Sequence, residues 1–574
     1  MCEGLGLNDL MPCGKQATMT FTKSALIERL DNETKNMSPL TKQILQLISL
    51  CAYILLSSAN SHAADVLAPT QVLHRGNGSE PQSLDPHKSE GVPSANIQKD
   101  LYEGLVCESP SGELVPGVAS SWSVDEKNMR YLFTLRKNAK WSNGDPVTAE
   151  DFVYSWRRIV DPKTGSYYAQ TLAPVLNAED IIKGTKKVTS LGIRAIGKYQ
   201  LEVRLKGPTP YFIGLLTHSS TYPVHKASVE KHGDRFARVG NLIGNGAFAL
   251  KEWSIQSHIL LERNPHYWDN KNTKLDKVYY YPIEDQSSEL KRYRAGEIDI
   301  VEGIPISQMP WLRKNLKQEL RLTPYLGIYY FGYNVTQPPF KDNKKLRQAL
   351  SMVIDRKVLT EKILRTGELP AYSWVPPNVT NYQHVEYEWK AWPMSRRIKY
   401  AKELIKQAGY GKGKPLSVEI RYNTSENHKK IAIVVASMWK KHLGVKTKLH
   451  NEEWKVFLAN RKTKKHTQVF RSGWIADYND AFSFAELLHS NHGVNDSGYS
   501  NPEYDALLAQ SAKEADVDKR RKLLQQAEKI LLNDYPVIPI YYYMSKHLVK
   551  PYVGGYKDNA MDHHYSKHLY IKAH

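Results

Sequence analysis

A chain of 574 residues is too long for one hydrophobic core, and 41% hydrophobic with 24% charged side chains is ordinary for a globular protein, so two or three lobes are expected. The formal charge of +20 is spread widely, with local runs such as Arg461-Lys462-Thr463-Lys464-Lys465, and no nucleic-acid motif accompanies it. That argues against a nucleic-acid partner and for a basic solvated surface, one that anionic membranes or envelope polymers would attract.

In chain order, the first feature is the apolar run from Ile44 to Leu56, which follows Lys42 and leads into Ser61-His62-Ala63. It falls short of the roughly 20 apolar residues that span a bilayer, so it reads as a secretory signal cleaved before Ala64. Residues 1–36 precede a normal signal, and Met37 is the expected start, with the signal at about 37–63. Leu50 ahead of Cys51 is too bulky for a lipoprotein signal. Cys2, Cys13 and Cys51 fall in the removed part, which leaves Cys107 alone and no internal disulfide. The segment 1–63 carries five basic and five acidic residues, so the exported chain keeps its charge of +20. It is expected free in the periplasm.

Gln71–Arg75 alternates like a strand, and Ser83-Leu84-Asp85-Pro86-His87 is a turn. Glu90-Gly91-Val92-Pro93 forms a loop before a helical stretch, 97–105, and a loop carboxylate beside a glycine can face a ligand. Tyr131–Arg136 reads as a strand. Asn143-Gly144 and Asp145-Pro146 mark a turn, after which Thr148 caps a helix near Ala149. Lys345–Asp355 and Ile431–Leu443 have helical period, and Leu416–Tyr422 is a strand. In Arg471-Ser472-Gly473-Trp474-Ile475-Ala476-Asp477 an arginine and a carboxylate flank a Gly-Trp step. A zwitterion such as a peptide needs that set; locally paired or solvated charges at a strand end would look the same. Thirty-five tyrosines against twelve phenylalanines suit a wall that touches varied polar ligands.

Several blocks occur together: Trp141…Asn143-Gly144…Pro146-Val147-Thr148-Ala149-Glu150-Asp151-Phe152, then Leu242–Phe248, Leu261–Trp268, Arg294–Asp299, Asn334, Pro339-Phe340, Gln348–Arg356, Ser500–Asp505 and Pro536–Tyr543. This ordered series, over the whole of 64–574, resembles the family-5 extracytoplasmic solute receptors of ABC importers, of the periplasmic oligopeptide-binding type. Asn143 departs from the aspartate common there. The resemblance implies an α/β, two-lobed periplasmic binding protein fold (type II, cluster C) with an inserted subdomain, a two-strand hinge and closure around the ligand. Lobe I would comprise 64–102, 228–327 and 544–574, the insert 103–227 and lobe II 328–543, with Pro324–Tyr330 and Ile538–Met544 as crossings.

By the same resemblance Asp477 takes a peptide's α-ammonium, and Glu90, Gly91 and Val92 pair with its backbone as with an added strand. Tyr168, Tyr325, Tyr330, Trp454, Trp474 and Tyr542 line the pocket beside Gly473, and Arg471, Arg461 and His428 meet carboxylates. Lys462 and Gly332 stand where a histidine and a glutamate occur, which suggests a shift toward acidic peptides. The partners implied are short peptides and inner-membrane ABC permease subunits with cytoplasmic ATPases, with the receptor a monomer. No His-Glu-x-x-His run, phosphate loop or nucleophile–base signature is present, so neither catalysis nor a cofactor is expected. Asp562-His563-His564 reads as a surface loop rather than a metal site. Two other readings remain: a receptor for murein peptides, haem or a metal complex on the same fold, or an envelope chaperone or adhesion protein.

Overall fold

The computed structural model describes residues 66–574. The expected extension and signal at 1–63, with its cleavage site and Cys2, Cys13 and Cys51, lie outside the described residues. Two long strands form the spine of the fold. Leu320–Tyr333 and Val537–Val549 run antiparallel side by side, with register shifts between Pro324 and Ile328 and between Tyr329 and Tyr330. They lie in the middle of an eleven-stranded sheet. On one flank come Val469–Ile475, Ser417–Asn423 and Lys446–Glu452; on the other come Ile300–Val301, Val72–Gly76, Lys277–Tyr281, His258–Arg263 and Phe248–Ser254. A chain that crosses from one sheet half to the other and returns must make two such strands.

Among the described residues the buried apolar side chains gather into four clusters. The largest holds Ile328, Trp374, Trp439 and Phe484. A second, around Trp141, Trp156 and Phe212, packs on the separate four-stranded sheet formed by Ala119–Val124, Arg130–Leu135, Ile193–Gly197 and Gln200–Arg204. A third surrounds Leu73, Tyr280 and Phe248, and a small fourth surrounds Tyr293 and Leu312. The boundary between the first and third clusters is where the cavities open. No helix among the described residues is long and apolar enough to cross a membrane.

Local chemistry accounts for most boundaries. The Asp151 carboxylate accepts from the Thr148 backbone N–H at 2.7 Å and closes a capping box on the helix Ala149–Val160, a device worth about 1 kcal/mol. The helix expected over 97–105 instead spans Val92–Leu101. Pro93 pre-forms its first turn, and Tyr102 leaves it in an extended conformation. Gly104 then passes so close to the Tyr222 ring that a Cβ would sit 2.9 Å from it, and a continuing helix has no room there. Glu453 caps the helix Trp454–Thr463 by accepting from the N–H groups of Lys455 and Val456 at 2.8 and 3.2 Å.

Cys107 is buried, and burial, with Glu103 nearby, pushes its thiol far above the usual range. The thiolate is the reactive species. Iodoacetamide at pH 8 is therefore expected to modify Cys107 ~100-fold more slowly in the folded protein than in guanidinium. Equal rates would place this side chain at an open surface.

Candidate functional site

Two cavities share a wall between the halves of the sheet. The first, of about 160 Å³, is lined by Glu90, Gly91, Val92, Tyr168, Tyr325, Tyr330, Trp454, Arg461, Arg471, Gly473, Trp474 and Asp477 among others. The second, of about 360 Å³, shares Gly91, Val92, Tyr325, Trp454, Arg471 and Gly473 with it and adds His428, Tyr541, Tyr543 and His547. The second alone reaches the ~300 Å³ at which small-molecule sites begin.

One wall is the loop before the helix Val92–Leu101. The Glu90 N–H donates to Gln82 Oε1 at 2.9 Å, Gln98 Nε2 donates to Ser89 Oγ at 2.6 Å, and Gly91 adopts φ 89°. A Cβ on Gly91 would meet the Trp454 ring at 2.7 Å, so this glycine lets the loop touch the opposite wall. Trp454 opens the helix Trp454–Thr463, and beside it stands the strand Val469–Ile475, whose alternation turns Arg471, Gly473 and Ile475 toward the second cavity.

Past the strand end, the Asp477 N–H donates to Ser483 Oγ at 2.9 Å, and its carboxylate lies 3.4 Å from His218 Nε2. That contact is not an ion pair. Burial, with Lys99 nearby, lowers His218 to about 3, so the ring is neutral. Burial likewise raises Asp477 to about 7, opposed only by Lys99, itself lowered by burial to about 8. Asp477 is therefore an enclosed carboxylate without a cationic partner in contact.

Arg471 is its counterpart of opposite sign. Its Nη1 donates to Asn423 Oδ1 at 3.2 Å and its Nη2 to Tyr543 Oη at 2.8 Å; its guanidinium lies 5.0 Å from the Tyr329 ring centre, and its Nε has no hydrogen-bond partner. No carboxylate among the described residues lies within salt-bridge distance of it. Arg461 differs: its Nε is 2.5 Å from Asp496 and its Nη2 3.4 Å from Glu90. Those two carboxylates neutralise it. Arg461 lines the first cavity, where a ligand carboxylate would compete with these two for it, and Glu90 is a buried ion-pair member as well as a wall residue.

His428 sits in the second cavity only, 3.5 Å from Tyr329 Oη, and burial with Arg471 beside it keeps the ring neutral. It can donate a hydrogen bond to a carboxylate but brings no charge. Tyr542 lines neither cavity. Its hydroxyl bonds Ser373 on the far side of the strand Val537–Val549, where the side-chain period of two turns Tyr541 and Tyr543 to the cavity instead. Tyr168 lies tilted against His218 at 4.8 Å between ring centres, and Tyr330 packs edge-on to Trp374 at 4.9 Å.

The two positions behind the acidic-peptide expectation also fall outside the cavities. A Cβ on Gly332 would strike the Phe470 ring, so an aromatic side chain fills that space. Lys462 bonds the Gly493 carbonyl and lies 4.0 Å from the Tyr167 ring centre. Neither residue can read a ligand charge at contact. The Asp562–His564 loop is corrected in the other direction. It is not a surface turn, because Asn559 Nδ2 ties it to the Pro110 carbonyl at 3.3 Å and Asp562 stands in the wall of both cavities.

The profile of the bacterial extracellular solute-binding proteins, family 5, matches residues 113–496. The periplasmic oligopeptide-binding protein OppA of Salmonella typhimurium is 44% identical over 548 residues, which cover 94% of this chain and all of that one. This chain belongs to family 5 of the bacterial extracellular solute-binding proteins. The crystal structure of Haemophilus influenzae OppA in complex with RPPGFSPFR superposes on this family-5 protein with a TM-score of 0.86, at 43% identity and 88% coverage of this chain and all of that one. The unliganded open form of the periplasmic murein tripeptide-binding protein MppA gives 0.62 at 44% identity, covering 89% of this chain and 99% of that one. Another MppA structure gives 0.87 at the same identity, covering 89% of this chain and all of that one. The lobes of the family-5 protein thus stand closer to their arrangement in the peptide complex than to that in the open form.

Sequence reasoning missed Lys99, His218, Asp496, Asp562 and the pair Tyr541/Tyr543. Lys99 had a signal, since Val92, Ala95, Asn96 and Lys99 follow one face of the helix Val92–Leu101. Tyr541 and Tyr543 had one in the alternation about Tyr542, and Asp562 in the run Asp562-His563-His564. His218 and Asp496 reach the site through contacts distant in sequence and carried none.

Proposed function

We propose that this family-5 protein captures short peptides between its lobes and delivers them to inner-membrane ABC permease subunits driven by cytoplasmic ATPases. The observation that carries this is the pair of enclosed groups of opposite charge, Asp477 and Arg471, neither with an oppositely charged side chain in contact. A buried charge needs a partner, and a zwitterionic chain supplies one for each. Between them lie backbone of Gly91 and Gly473 and the rings of Tyr325, Trp454 and Trp474, a surface that accepts an extended backbone without demanding one side chain. Relatives named for oligopeptide and murein-peptide binding support the ligand class, and their periplasmic names support export by a signal at about 37–63.

The separate apolar clusters support lobe I at 64–102, 228–327 and 544–574, an insert at 103–227 and lobe II at 328–543. The proposed receptor acts as a monomer. Ordinary peptides are favoured over wall peptides. The extra carboxylates of a wall peptide would call on Arg461 together with Arg471, and Arg461 is already occupied by Glu90 and Asp496.

Native mass spectrometry of protein purified from its own periplasm without refolding tests the reading. A ladder of added masses matching short peptides is expected. One mass matching a wall peptide would replace ordinary peptides by recycling, and failure to take up any peptide from a mixture would overturn the proposal.

A further inference from the structure

We propose that His547, Asp562 and His564 form a binding site for a divalent transition-metal ion of the zinc, nickel or copper class, set in the wall of the ligand cleft. Their donor atoms all lie within 4.8 Å of one another, the only such group among the described residues. His547 comes from the strand Val537–Val549 and the other two from the loop after it, so the set is invisible as a sequence motif. His547 Nε2 is 2.9 Å from Asp562 Oδ2, and His564 Nε2 is 2.9 Å from Asp562 Oδ1. An ion with ~2.0–2.1 Å bonds in a tetrahedral site separates its donors by ~3.3 Å. The two carboxylate contacts would each open by ~0.4 Å, and the two imidazole nitrogens, within 4.8 Å of one another, would settle at ~3.3 Å.

The His547 ring is already held as a metal ligand is held. His547 Nδ1 lies 3.1 Å from the Val301 carbonyl, which can only accept, so Nδ1 carries a hydrogen and Nε2 is the nitrogen left to bind a metal. The His564 ring stacks on Tyr556 at 4.1 Å, and Arg75 Nη1 donates to the His564 carbonyl at 3.0 Å. All three side chains are at most 10% exposed.

Donor chemistry sets the class. Two imidazoles and one carboxylate suit zinc, nickel or copper, whereas magnesium and calcium take oxygen cages. Glu302 lines the same cavity and favours a cation; Arg75 and Lys99 oppose one. Three protein ligands leave a position open, and since His547 and Asp562 line the second cavity, that position faces the cleft, where water or a donor group of the solute can complete it.

The test needs no peptide, so it stands or falls apart from the proposed ligand. Untagged, chelator-stripped full protein is titrated with Zn²⁺ by calorimetry and with Co²⁺ by visible absorption. One Zn²⁺ per chain and an intense, low-coordinate Co²⁺ band are expected. His547→Gln and His564→Gln should each weaken Zn²⁺ binding by ~30-fold or more, while surface His450→Gln leaves it unchanged. Circular dichroism melts without metal check that the variants fold; should one not, the Co²⁺ band of the parent and its loss with chelator decide alone. No binding at ~100 µM Zn²⁺, or equal binding in the parent and both cluster variants, would overturn the site.

Discussion

Asp477→Asn is expected to weaken binding of a peptide with a free amino terminus by ~30-fold to several thousand-fold, the ~2–5 kcal/mol of truncating one partner of a buried charge pair. The loss should be small for an N-acetylated peptide, which brings no ammonium, and isothermal titration with both peptides gives the comparison. Similar losses for the two would mean that Asp477 acts on shape and not on charge. Closure of the empty protein supplies a second reading. In an open, hydrated cleft the Asp477 carboxyl keeps its ordinary value near 3.8, and in the closed empty form burial raises it to about 7. The closed form therefore binds the extra proton. Its advantage over the open form is complete below the ordinary value and is lost as pH rises through about 7. Small-angle scattering of the empty parent should show it opening across that window, with peptide restoring closure above it. The Asn variant, with no carboxyl to titrate, should show much less dependence on pH.

That coupling explains why some of the site was legible in the sequence and some was not. Asp477, Gly473 and Arg471 lie on seven consecutive residues, and an end-of-strand Arg…Gly-Trp…Asp pattern can be read locally. Whether those charges meet ligand or each other cannot, because it depends on Asn423, Tyr543 and His218, none of them near in sequence. Arg461 shows the same limit from the other side: the basic run Arg461–Lys465 does not reveal that Glu90 and Asp496 pair with it from 371 and 35 positions away. Tyr542 failed for a geometric reason. In Tyr541-Tyr542-Tyr543 the side chains alternate, so a choice of the middle ring selects the face away from the cavity. The two crossing strands were recognisable because a chain shared by two lobes must cross and return, and β-branched and aromatic runs at both crossings mark where it does.

Gly91→Ala should weaken peptide binding by ~10-fold or more while leaving the fold intact, because the change acts on closure. Two costs are separable. At φ 89° and ψ 154° the backbone sits in a region that nearly only glycine occupies, so any side chain adds ~1–3 kcal/mol of strain whether the lobes are open or closed. The second cost exists only in the closed form, where the new Cβ meets Trp454 Cζ2 at 2.7 Å. Gly91 precedes the helix Val92–Leu101, whose Ile97 and Leu101 belong to the third apolar cluster, and Trp454 packs against the first, so this contact joins the two halves of the sheet. The strain should appear as a lower melting temperature of the empty protein, and the clash as a faster peptide off-rate. Trp454→Ala removes the ring that the methyl group strikes but also strips the cleft wall, so by itself it should weaken binding. In the double variant the clash is gone, and its affinity loss should be clearly smaller than the sum of the two single losses in free-energy terms. Strict additivity would show that Gly91 is required for the shape of its own loop alone. A coupling of ~1 kcal/mol or more would identify the Gly91–Trp454 approach as the contact that limits how tightly the lobes shut.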